Sequence, residues 1–307
     1  MLLNTKLLCW CVILIVVTCS PHRYHVDLVR RLTYTERRTV VGVTTLNDKI
    51  FVIYNQLPFI VVYMSQEPYT RLPNIAINGL KNPFDIAASS SCLYVSDAGS
   101  VAIWRVKATD SKVDQWLSGV KAVSVSVTSE EKLVLLVGVD RQGSGEEHNF
   151  TYCGEIHIYT AGCVKESVVR LSHDVRVPLS VIMTQRKTFV ISYGLRWHGM
   201  NRVCEVDMTG RMLKAFGSSP GEGVGQLNVP GGLSLDNEER VIVADTFNNR
   251  VLLLSKQLML ERALVTWHPQ SHSEDACGPF RLHYNSHSGR LLVGLINGHL
   301  DIYQLRA

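Results

Sequence analysis

The sequence predicts an all-β chain: a six-bladed β-propeller of four-stranded blades, its ring closed by an N-terminal strand. Three observations lead there. Residues 216–254, FGSSPGEGVGQLNVPGGLSLDNEERVIVADTFNNRVLLL, read as a glycine-rich loop, a strand, a tight polar turn, a second strand ending in Ala244-Asp245, a turn and a third strand. A proline followed by a short apolar strand recurs at Pro83, Pro178, Pro230 and Pro279, each time with an apolar run about a dozen residues later. Finally, the segment VDLVRRLT at 26–33 belongs to no repeat, while the last repeat reaches Ala307 after only its third strand.

In chain order, blade one lacks the proline and pairs KIFVIYN (49–55) with FIVVYMS (59–65). Blade two runs from NPFDIAA through LYVSD (93–97) to AIWRV (102–106). Blade three, again without the proline, pairs KLVLLVGVD (132–140) with GEIHIYT (154–160). Blade four holds VPLSVIM, TFVISYG (188–194) and RVCEVDM (202–208), then MLKAF (212–216) as its outer strand. Blade five is VPGGLSL, VIVAD (241–245) and RVLLLSK (250–256); blade six is GPFRLHY, LLVGL (291–295) and HLDIYQL (299–305). Alternation of period two in EIHIYT and HLDIYQL fits strands with one covered face, and the continuous apolar runs fit strands buried between blades. Blade six lacks an outer strand, and residues 26–33 supply it, which removes two exposed edges. Residues 21–307 thus form one domain, and Trp104 in AIWRV is expected to pack between blades.

Blade five is similar to the NHL repeat, in which a glycine-rich loop leads to Pro-x-Gly and then to Val-Ala-Asp-x-x-Asn-x-Arg. Blade two keeps part of that pattern in LKNPFDIAASSSCLYVSDAGSVAIWRV, and blades one, three and six match by strand pattern alone. The residues of the motif, Asp97, Asp245, Asn249 and Arg250, are expected to be scaffold. A carboxylate ending a buried strand accepts N–H groups of the next turn, and Arg250 braces that turn. The fold by itself does not name a function, because propellers carry enzymes, RNA binders and protein-binding modules alike.

Composition narrows the choice. The balance of 31 basic and 27 acidic residues implies no strong pull on nucleic acid. The dense basic stretch, His22–Arg38, would place Arg30 and Arg31 on the closing strand, pointing outward as a solvated edge. No Cys-x-x-Cys zinc pattern, heptad run, P-loop, dinucleotide fingerprint or Gly-x-Ser-x-Gly elbow is present.

Residues 1–20 read as a signal peptide, with a short signal anchor as the alternative. Leu7–Cys19 is an unbroken apolar run behind Lys6. It is short for a bilayer of roughly 30 Å and typical of a signal h-region of roughly 7–15 residues. The flank after it is more basic than the flank before, which as an anchor would leave the propeller in the cytosol. Asn149-Phe150-Thr151 is a glycosylation sequon in a polar loop, in keeping with a secreted glycoprotein. Five cysteines follow residue 20: Cys92, Cys153, Cys163, Cys204 and Cys277. An odd count leaves at least one thiol free, and if pairs form, Cys92 with Cys163 and Cys153 with Cys204 are the better choices.

Relatives among six-bladed propellers include calcium-dependent lactonases and a zinc-dependent lyase, whose metals sit in the central channel. The positions two after each proline here are Asp85, Ser180, Gly232 and Arg281: one carboxylate, one hydroxyl, one glycine and one cation. A hard cation needs roughly six oxygens, and an arginine in the ring would repel it. The zinc-type side chains His268, His272, Asp275 and Cys277 fall together in WHPQSHSEDACG, a loop in which His-x-x-x-His has no fixed facing geometry. The reading assigns no catalytic residue, metal or cofactor.

What remains is a binding platform on the face that carries the long connections Arg141–Tyr152, Gly194–Asn201, Gly217–Asn228 and Trp267–Gly278. Arg141, Arg196, Trp197, His198, Arg202, His268 and His272 are its candidate contact residues, Trp197 foremost because Trp and Arg dominate binding hot spots. A protein partner is expected. A metal-dependent hydrolase or lyase is the alternative, and RNA binding the third reading, weakened by Glu146, Glu147, Glu222, Glu274 and Asp275 among the same loops.

Overall fold

The computed structural model describes residues 25–139, 152–196, 199–267 and 278–306. Within them the chain is a six-bladed β-propeller. Strand β1 (His25–Thr33) comes first and belongs to the last blade. Blade one is β2 (Val40–Leu46), β3 (Lys49–Tyr54), β4 (Phe59–Met64) and β5 (Arg71–Ala76). Blade two is β6 (Pro83–Ala88), β7 (Cys92–Asp97), β8 (Ala102–Lys107) and β9 (Val113–Ser118). Blade three is β10 (Ala122–Val127), β11 (Leu133–Val139), β12 (Tyr152–Tyr159) and β13 (Lys165–Arg170). Blade four is β14 (Pro178–Met183), β15 (Phe189–Tyr193), β16 (Asn201–Val206) and β17 (Met212–Ser218). Blade five is β18 (Pro230–Leu235), β19 (Val241–Asp245), β20 (Arg250–Leu254) and β21 (Leu260–Thr266). Blade six is β22 (Pro279–Asn285), β23 (Arg290–Leu295) and β24 (His299–Arg306), with β1 on its outer edge.

The closing strand pairs antiparallel with β24, from His25 opposite Arg306 to Thr33 opposite His299. Arg31 does more there than face solvent. Its Nε and Nη2 reach both carboxylate oxygens of the buried Asp301 at 2.6 and 2.7 Å. A bidentate pair of this kind fixes register as well as adding energy, so the first strand of the chain is locked to the last by charge as well as by the ladder.

Each interface between neighbouring blades buries its own apolar cluster. Ile53, Val62, Ile86 and Val95 join blades one and two, for example, and Val190, Val203, Leu233 and Val243 join blades four and five. The continuous apolar runs of the sequence are these second strands, covered on both faces: Phe189–Tyr193 and Val241–Asp245 are buried throughout.

The inner strands share one irregularity. In every blade the register to the second strand slips just after its first residue, at Val40, Pro83, Ala122, Pro178, Pro230 and Pro279. Proline has no N–H for the ladder, and a bulge re-aims the side chains that follow it. Val40 and Ala122 stand where the proline would be, and this is why β2 and β10 escape a search keyed on proline. The bulge points the residue two positions on, Gly42, Asp85, Ser124, Ser180, Gly232 or Arg281, toward the ring of inner strands. At Gly232 a Cβ would come within 2.9 Å of Arg281 Cα, and at Gly42 within 2.8 Å of the Ile86 nitrogen. These two glycines allow neighbouring inner strands to approach.

Candidate functional site

The propeller axis is the first place to look for chemistry, and Arg281 occupies it. Its side chain is 4% exposed. Nε donates to the carbonyl of Val41 at 2.8 Å, Nη1 to Leu179 at 3.2 Å and Nη2 to Phe84 at 3.1 Å. One guanidinium from blade six thereby ties the inner strands of blades one, two and four. Its counter-ion is Asp85, 4.0 Å from Nε. Asp85 in turn accepts the Ile86 N–H at 2.9 Å, the Val125 N–H at 3.1 Å and the Ser124 hydroxyl at 2.8 Å. Burial pushes the Asp85 carboxyl above its usual range, while Arg281 and the three donors pull it back.

Beyond this plug a cavity of about 250 Å³ follows the inner strands to their far ends at Ala88, Val127, Met183, Leu235 and Tyr284. It therefore extends toward the face of tight turns, away from the long loops. Thr44, Ser126, Ser180 and His283 give it polar walls, and the Ser126 hydroxyl is buried without a partner. His283 meets the Thr45 hydroxyl at 2.8 Å through Nε2. Desolvation lowers its pKa to about 4, so the ring is neutral at physiological pH.

The long-loop face is organised by buried polar groups at strand ends. Asp97 accepts N–H groups of Lys81, Asn82 and Gly99 and the Ser100 hydroxyl, pinning the crossover from blade one. Asp245 takes the Asn228 N–H at 2.7 Å, the Asn248 amide at 2.8 Å and Arg250 Nε at 2.7 Å. Arg250 also reaches the carbonyls of Glu222 and Gln226, so it braces the glycine-rich loop. Asn249 sits at φ 48°, a left-handed turn position that asparagine tolerates well. Blade four achieves the same end without an aspartate: Asn201 donates to the Leu195 carbonyl and accepts the Val229 N–H. The sequence shows no motif for that substitute.

Of the candidate contact residues, Arg196 is exposed and lies 4.3 Å over the Phe247 ring of blade five. Arg202 lies on β16 opposite Tyr193 and is half-buried. Arg141, Trp197, His198, His268 and His272 fall outside the described residues, as do Asn149 and residues 1–20. Neither of the cysteine pairs open to the sequence forms here: Cys92 and Cys163 are free, Cys163 donating to the Trp116 carbonyl at 3.2 Å, and Cys204 is free and buried. Trp104 is half-buried against the cluster between blades one and two, its Nε1 on the Ser100 hydroxyl. Among the described residues, no three His, Cys, Asp or Glu side chains converge to hold a metal ion.

No protein-family model matches the chain, and no curated protein sequence matches it. Solved structures do. A WD40 β-propeller domain of Doa1 aligns over 91% of this chain and 97% of its own at 12% identity, with a TM-score of 0.60. A catalytically inactive virginiamycin B lyase from Staphylococcus aureus, with quinupristin, aligns over 92% and 100% at 9% identity and 0.60. A protein of unknown function from Bacteroides thetaiotaomicron aligns over 92% of this chain and 76% of its own, at 12% and 0.63. At such identities the likeness establishes the propeller fold, which a WD40 domain and a lyase here share.

Two outcomes follow from the axis. Arg281→Met leaves Asp85 buried without its cation and three carbonyls without their donor, and should destabilise the domain by about 3–5 kcal/mol. Adding Asp85→Asn should recover part of that loss. Chemical denaturation checks both, and an unchanged midpoint for Arg281→Met removes the plug from any structural role. The second outcome is set by His283. Its folded pKa lies below the unfolded value near 6.5, so the unfolded chain binds the extra proton first. The stability present above pH 6.5 is therefore lost between about 6.5 and 4, by up to about 3 kcal/mol. His283→Gln should flatten that part of the pH–stability curve; an equally steep curve in the variant assigns the loss to other groups.

Proposed function

We propose that this chain is a non-catalytic propeller that recognises another protein through the long loops of one face. One observation carries the reading: Arg281 fills the axial ring and donates to three backbone carbonyls there. In the relatives that do chemistry, that ring presents ligands to a metal. Here it presents a cation already bonded to the scaffold. The braced loops of the opposite sort, held by Asp97, Asn201, Asp245 and Arg250, are rigid supports for contact residues. The likeness to a WD40 propeller domain agrees with this reading. The pattern of blade five adds a resemblance to the NHL repeat.

A second reading, a lyase or hydrolase, is favoured by the virginiamycin B lyase neighbours together with the polar cavity that contains His283. RNA binding is the weakest reading, since the sequence of these loops mixes arginines with carboxylates.

The same proposal places the propeller in the secretory pathway, with residues 1–20 removed and Asn149 glycosylated; retention through a short anchor is the alternative. Expression with its own leader should yield a glycosidase-sensitive product in the medium whose mass falls on Asn149→Gln. A membrane-bound product without glycan reverses the assignment.

The recognition face is tested by capture. Trp197→Ala should weaken retention of cross-linked partner proteins by about 2 kcal/mol or more while leaving the melting temperature unchanged. A lowered melting temperature without separate loss of capture would return Trp197 to the core. Turnover of a lactone or cyclic peptide substrate that disappears with His283→Gln would instead establish the enzyme.

A further inference from the structure

On the long-loop face, blade four and the connection that enters it line a pocket of about 390 Å³. The connection leaving β13 contributes Asp174 and Arg176, the β15–β16 loop contributes Leu195 and Met200, and the strands contribute Arg202 and Met212. Three features set it apart from an ordinary surface dimple. Arg202 Nε is buried and has no hydrogen-bond acceptor. An unmet charged donor is costly inside a protein, so the site favours whatever brings it an oxygen. The hydroxyl of Tyr193, opposite Arg202 across the β15–β16 ladder, neighbours the same guanidinium and leaves Nε without an acceptor. Arg176 is exposed and forms no ion pair among the described residues. Lastly, Met200 is 48% exposed in the same loop as Leu195, an adaptable apolar surface left open to solvent.

We propose that this pocket anchors a short acidic–apolar peptide segment of the partner. One apolar side chain enters between Leu195 and Met200, and a neighbouring carboxylate is received by Arg202 and Arg176. Guanidinium groups suit this task because their fork matches a carboxylate in two parallel bonds. The volume lies within the ordinary range of ligand pockets, roughly 300–1,000 Å³, and takes side chains rather than a folded element. A nucleic-acid strand fits less well, because the wall is thioether rather than aromatic and offers a base nothing to stack on. The inference rests on the protein-recognition reading and gives that reading an address and a chemistry.

The test uses fluorescein-labelled ten-residue peptides on a Gly-Ser background. Each carries one Leu, Met or Phe and one Glu, spaced one to four residues apart, titrated against the full chain by polarisation. Peptides of the preferred spacing should bind at least about tenfold tighter than counterparts with Lys for Glu or Ser for the apolar residue, a difference of about 1.4 kcal/mol. Arg176→Gln, Arg202→Gln and Met200→Ser should each cut that affinity at least about fivefold. Arg176 and Met200 are exposed, so their variants keep the test valid where Arg202→Gln unfolds the domain. Equal binding of the Lys peptides, absence of binding by every peptide, unaltered affinity in the Arg176 and Met200 variants, or tighter binding of an oligouridine at the same arginines overturns the proposal. Should a captured partner protein be retained equally by Arg176→Gln and Met200→Ser, the pocket assignment falls while recognition by the loop face stands.

Discussion

The structure depends on how six inner strands satisfy their free edges. Each of these strands pairs on one side only, and its other edge faces the axis with carbonyl and N–H groups that no seventh strand covers. Arg281 and Asp85 answer that need from opposite sides. The guanidinium gathers carbonyls from blades one, two and four, and the carboxylate gathers N–H groups from blades two and three. The two side chains neutralise each other at 4.0 Å, so the ring is held by a charge pair that both halves need. A buried pair is weak support for stability in general, because desolvation offsets most of the attraction. Here the pair's main effect is specificity: it fixes which strands meet at the axis, and in what register.

The same economy operates at the rim of each blade. The turns joining first to second strands reach back to the preceding blade: Glu131 accepts the Ser90 N–H, Glu239 accepts the Gln185 N–H, and Lys187 pairs with Glu130. Glu131 and Glu239 both adopt left-handed φ values, 61° and 59°, at the outer corner of the turn. On the other face Asp97, Asn201 and Asp245 hold the crossovers. Apolar clusters make adjacent blades adhere, and these polar latches set their relative height, so the long loops rest on a frame with few soft joints. That rigidity is what a recognition surface requires, since a contact residue already ordered loses less entropy on binding.

The two faces therefore differ in character. The cavity inside the ring is small, hydroxyl-lined and turned toward the tight-turn face, with a neutral histidine in its wall and the Asp85–Arg281 pair at its inner end. The pocket on blade four is on the other face and carries, beside Asp174, two arginines that form no ion pair among the described residues and an open methionine. The first can shelter a neutral polar group. The second draws an anion attached to an apolar one, which is the chemistry of a peptide rather than of a small neutral metabolite.

The sequence by itself determined the number of blades, the order of their strands and the pairing of 26–33 with the strand at 299–305. Those follow from local periodicity and repetition, which a linear chain displays openly. It also placed Asp97, Asp245 and Arg250 at strand ends where carboxylates cap turns. It did not display β2 and β10, because Val40 and Ala122 make the bulge without the proline that announces it elsewhere. Nor did it display that Asn201 stands in for an aspartate, or that Val101, Val177 and Val229 adopt positive φ, from 51° to 53°, against the preference of β-branched residues. Arg281 was visible as a cation in the ring, but its three carbonyl partners lie 240, 197 and 102 residues away. Closing the ring brought them together. Arg202 and Arg176 meet through the ladder of blade four, where Pro178, Tyr193 and Arg202 stand opposite one another across β14, β15 and β16.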